Sequence, residues 1–174
     1  MRVLSVLIVL TGLLVFSGAH AAQGTRKAQT GAPRLMSIAE TVIKMPLAKG
    51  VSLEDAEQSL KLRANALNMK LVAELPLSKQ VEAITGKPSR QATIFQFCDA
   101  MTARQMLDYS LDFAAYLPCR IALVEDEKGQ GWLVMMDLNM LINAANLKPE
   151  LKAKAIEVRD MLESIMRAGA NGEL

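Results

Sequence analysis

The sequence predicts an α+β fold: a single domain with a mostly antiparallel or mixed five-stranded sheet and helices packed on one face. Three observations carry that reading. Apolar patterns of the two periods follow one another as strand, helix, strand, short helix, strand, helix, hairpin, helix. The last two strands are separated only by a charged, glycine-containing turn, 125–131, which reads as a hairpin. Residues 22–174, left once an N-terminal leader is removed, are enough for one domain with its own core.

Met36 to Leu47 reads as the first strand, stopped by Pro46. Ser52 with Asp55 three residues on resembles a capping box. Leu53, Ala56, Leu60, Ala64 and Leu67 then recur at helical spacing, so this helix should run to about Asn68. Lys70 to Leu77 reads as a second strand, with Leu71, Ala73 and Leu75 set against Val72 and Glu74. Ser78 can cap a short helix that Gly86 stops. Ala92 to Cys98 is the third strand, and Phe95 and Phe97 mark its core side. Asp99 or Thr102 caps a long helix with an apolar stripe from Ala103 to Leu117, ended by Pro118. Cys119 to Val124 and Trp132 to Asp137 form the hairpin, and 139–146 is a short apolar turn or helix. Pro149 opens the last helix, with Gly169 just past its end and Glu150 and Lys154 as an exposed i, i+4 pair. The sheet face away from the helices needs a cover, and a second copy in a homodimer is an economical one.

The N-terminus carries information of a different kind. Arg2 follows Met1, an apolar run extends from Val3 to Phe16, and Ala19-His20-Ala21 offers a cleavage site. Residues 1–21 therefore read as a signal peptide, with retention as an anchor the alternative. The mature protein is expected in a bacterial periplasm or secreted. Residues 22–35 read as a flexible leader, 36–146 as the α+β domain, and 147–169 as a C-terminal amphipathic helix packing on or beside it. Cleavage removes Arg2, leaving nineteen basic against eighteen acidic residues, a net charge of +1. No basic patch points to nucleic acid, and the mature chain has no second run long enough to span a membrane.

Ile94 to Ile142 carries a resemblance. It contains Phe95-Gln96-Phe97-Cys98-Asp99, then Leu117-Pro118-Cys119-Arg120, then Glu125-Asp126 and a Trp-led strand. This stretch resembles the family of domains of unknown function numbered 302, as do Leu71-Val72-Ala73-Glu74-Leu75 and Ile84-Thr85-Gly86-Lys87. The resemblance covers about 36–142 and implies a small α/β protein able to dimerise. Some members lie beside sulfur-oxidation genes, and the family has no established reaction. Asp99-Ala100-Met101 stands here where Asn-Pro-Pro is common in the family.

Cleavage after Ala21 also removes His20, the single histidine, and with it the commonest general base and imidazole ligand. There is no Cys-x-x-Cys and no glycine-rich phosphate loop, and no cofactor or resident metal is expected. Cys98 and Cys119 remain, as a structural disulfide, as buried inert thiols, or as a redox, thiol-binding or Cu(I) site. Only an antiparallel relation of their strands would bring them together. Arg120 must face away from Cys119; it could bind an anion or pair with Asp99 or Glu125. Met101, Met106, Met135, Met136 and Met140 are read as core packing before copper ligands. Cys98, Cys119, Arg120 and Asp99 are thus the candidate ligand or redox site, with no catalytic residue assigned. The leading reading is an exported binding or accessory protein for a small molecule or partner. Thiol redox or sulfur transfer is the alternative, and soft-metal binding the third.

Overall fold

The computed structural model describes residues 37–173; the expected signal peptide, leader and Met36 lie outside them. The elements are β1 (Val42–Pro46), α1 (Leu53–Ala66), β2 (Lys70–Pro76), α2 (Leu77–Thr85), β3 (Ala92–Cys98), α3 (Ala100–Tyr109), β4 (Cys119–Glu125), β5 (Gly131–Met136), α4 (Leu138–Ala144) and α5 (Pro149–Asn171). The five strands lie in the order β1-β5-β4-β3-β2, and every neighbouring pair is antiparallel. The α+β class and the β4–β5 hairpin are as expected.

Alternation along the strands sets the layers. Phe95 and Phe97 of β3, Ile121 and Leu123 of β4, and Leu133 and Met135 of β5 are buried on one face. Ala56, Leu60 and Ala64 of α1 and Leu162, Ile165 and Met166 of α5 are buried with them in one core. Met106 of α3, Ile142 of α4, Leu147 and Ala155 form a second buried cluster. Ile94, Gln96, Arg120, Ala122, Val134 and Met136 take the alternate positions, on the other sheet face.

The local chemistry explains where elements start. The Asp55 N–H donates to Ser52 Oγ at 3.0 Å and the Ser52 N–H to Asp55 Oδ2 at 3.2 Å, so the expected capping box opens α1. Lys61 reaches Glu57 at 2.6 Å and Glu74 at 2.8 Å, tying α1 to the edge strand β2. Gly86 closes α2 in the left-handed region, φ 65°.

Six expectations need correction. The first strand is shorter, because Ser37 and Glu40 cap a 3-10 turn over Ile38–Thr41. In β2 a register shift between Leu71 and Ala73 breaks the alternation, so Leu71 pairs with Phe97 while Glu74, and not a member of the Leu71 series, pairs with Phe95. Ser78 lies inside α2, where its hydroxyl is 3.3 Å from Gln91 Oε1, and Pro76 holds the N-cap position. The long helix after Asp99 ends at Tyr109; Ser110 is extended and caps a 3-10 turn, Leu111–Ala115, leaving Leu111 exposed. Gly169 is inside α5, which Gly172 ends at φ 65°, and Lys154 donates to Gln105 of α3 at 2.9 Å rather than pairing with Glu150.

Gly169 is where α5 crosses closest to the core. A Cβ there would stand 2.7 Å from Leu60 Cγ and 3.0 Å from Leu133 Cδ1, both in fully buried side chains. Gly169→Val should therefore overpack the helix-sheet contact and destabilise the fold by about 2 kcal/mol, although valine favours a helix slightly more than glycine does. The urea midpoint measures this, and an unchanged midpoint would show that Leu60 yields freely.

Candidate functional site

The β3–β4 register brings the two cysteines to one end of the sheet. Phe97 pairs with Cys119, and Cys98 is the last residue of β3. Both thiols are free and half-buried. They line the same pocket, of about 80 Å³, between the two buried clusters. Met69 and Phe97 contribute from the sheet side. Met106 of α3, Phe113 of the 3-10 turn, Ile142 of α4 and Ala155 of α5 contribute from the helices. Apart from Asp99, Thr102 and Tyr116, the lining side chains are hydrocarbon, thiol or thioether.

Asp99 shares this pocket but is already engaged. It is the N-cap of α3 and accepts the Thr102 N–H at 2.7 Å. Arg120 is not brought to the pocket. It follows Cys119 in β4, points to the other sheet face and is exposed. Among the described residues it makes no ion pair or side-chain hydrogen bond, so neither expected pairing, with Asp99 or with Glu125, is formed. Glu125 instead accepts the Gln91 N–H at 3.3 Å.

The electrostatics keep both thiols protonated. Burial pushes the Cys119 thiol up to about 11, with the neighbouring Cys98 adding to the effect and Arg120 opposing it. Burial, and then Asp99, also raises Cys98. Thiols in such surroundings are poor nucleophiles at neutral pH. Of the five methionines weighed for copper, Met106 reaches this pocket, whereas Met101 is exposed, Met140 is half-buried on α4 outside the pocket lining, and Met135 and Met136 fall on opposite sheet faces. Among the described residues no group of three or more His, Cys, Asp or Glu side chains is placed to hold a metal.

Sequence reasoning missed Met69, Phe113 and the α4 and α5 residues of the pocket. Each reads locally as ordinary core, and only the packing of four separate segments makes a hollow from them.

Residues 43–169 match the family described as Domain of unknown function DUF302. The crystal structure of an uncharacterized conserved DUF302 protein from Bacillus stearothermophilus is similar, with a TM-score of 0.61 and 16% sequence identity. The alignment covers 74% of this chain and 97% of that one. No curated protein matches the sequence.

The raised Cys119 thiol has a consequence for stability. The unfolded thiol, near 9.0, gives up its proton before the folded one, at about 11. Unfolding therefore releases a proton in that window, and stability falls as pH rises through it. Between about pH 8 and about pH 10.5 the wild type should lose up to about 2 kcal/mol more than Cys119→Ala, read from urea midpoints. Equal losses would mean that Cys119 titrates like a solvated thiol.

Proposed function

Since the chain belongs to the DUF302 family, whose function is unknown, we propose a role from its own pocket: an exported, non-enzymatic binding protein for a small, largely apolar molecule. The observation that carries this is the hollow of about 80 Å³ beneath Cys98 and Cys119, lined by apolar side chains and neutral thiols apart from Asp99, Thr102 and Tyr116. Largely apolar hollows bind apolar molecules by removing hydrocarbon surface from water. Export rests on the signal-like residues 1–21, and a place in periplasmic sulfur metabolism would suit two thiols facing a ligand. A homodimer belongs to the same reading, with the second copy over the sheet face away from α1 and α5. Among the described residues no helix is long and apolar enough to cross a membrane.

One observation favours soft-metal binding as a second reading. Met69 and Met106 line the pocket with the two cysteines, a sulfur set of the type that Cu(I) prefers once it displaces the thiol protons. Stoichiometric Cu(I) uptake lost in Cys98→Ser would support it. Thiol redox or sulfur transfer is less well served, because protonated thiols must first lose a proton to react.

The test uses methyl-labelled methionine. Added benzene or hexan-1-ol should shift the Met69 and Met106 methyl signals saturably, and Ala155→Met, which fills the pocket, should abolish the shifts. Signals that move linearly, or move equally in Ala155→Met, would remove the binding reading.

A further inference from the structure

A second hollow, of about 220 Å³, opens at the Arg120 end of the sheet, where side chains of the face away from the helices meet Met135, Leu138 and Leu162 of α5. Val42, Ile94, Ala122, Val134 and Met136 line it, and Arg120 is the single charged side chain in it. Tyr116, Cys119 and Leu138 line both this trough and the inner pocket, so the two hollows share a wall at the end of the sheet. Resting on the binding reading above, we propose that the ligand is an amphipathic monocarboxylate. Its carboxylate sits on Arg120, and its short apolar tail runs along the trough toward Tyr116 and the inner pocket.

Three features of the site carry this. Arg120 has no ion-pair or side-chain hydrogen-bond partner among the described residues, and no carboxylate lines the trough to compete for it. A guanidinium offers a carboxylate two parallel donors, and on an apolar surface such a pair is more favourable than in open water. The polarity of the ligand is also set. Asp99 lines the inner pocket and not the trough, so its carboxylate repels a headgroup there and leaves that space to the tail. A second copy seated over this end of the face would bring its own Arg120 to a surface with no carboxylate to receive it. A bound carboxylate neutralises that charge.

The experiment compares hexanoate, hexan-1-ol and acetate on the methionine-labelled protein at low salt. Hexanoate should shift both Met136, in the trough, and Met106, in the pocket. It should bind about tenfold more tightly than hexan-1-ol, and the advantage should shrink as salt is added. Arg120→Gln should bring the two affinities together without weakening hexan-1-ol, and Arg120→Lys should keep part of the difference. Arg120 is exposed, so both variants are expected to fold. Equal affinities in the wild type, with Met106 still shifting, would overturn the carboxylate proposal and leave the binding reading standing. Acetate as tight as hexanoate would reduce the site to a surface anion contact and also overturn it. If neither hexanoate nor hexan-1-ol binds, both readings fail.

Discussion

Burial of one sheet face against α1 and α5 is the constraint on which the rest depends. Phe95, Phe97, Ile121, Leu123 and Leu133 are all fully shielded from solvent, and each belongs to one side of a period-two pattern. A one-residue slip would turn these side chains out into water, so the register of β3 with β4 is strongly specified. That register is what sets Phe97 opposite Cys119 and places Cys98 beside them at the sheet's end. It also sends Arg120 to the opposite face. The separation of neutral thiols from a bare guanidinium thus follows from core packing, before any question of function arises.

Much of the frame was legible because its signals are local. Ser52 and Asp55 cap α1 with adjacent groups, Phe95 and Phe97 alternate on a short strand, and Gly86 takes the positive φ that glycine tolerates. The misreadings have other causes. Met106 and Leu111 look alike on a helical wheel, yet Ser110 breaks the helix between them by capping the next turn with its hydroxyl. Val72 is apolar in an alternating stretch, but β2 is an edge strand and absorbs a bulge there. Gly169 reads as a helix stop, although its role is to let α5 approach Leu60. The last two turn on contacts with residues far away in the chain, whereas the Ser110 cap is local and is masked by the apolar stripe that continues past it.

The candidate site divides in the same way. Cys98 and Cys119 stood out because so little else in the chain carries chemistry, and antiparallel pairing was the condition for their meeting. Asp99 was expected as a cap and serves as one. What no linear pattern disclosed was the space beside them. Met106, Phe113, Ile142 and Ala155 come from four segments that close over the sheet's end. The pocket belongs to the seam between two packed clusters, and a seam has no sequence motif.

The two outer strands bear on how copies of this chain meet. β1 ends in Pro46, which lacks a backbone donor, and β2 carries the register shift at Leu71/Ala73 and ends in Pro76. Neither margin offers an uninterrupted ladder of donors and acceptors along its whole length. β2 also exposes Leu71 and Val72, apolar side chains that would otherwise invite strand addition. The interruptions therefore limit growth of the sheet by edge-to-edge polymerisation, and a concentrated population of this protein can expose an apolar margin without zipping into fibrils.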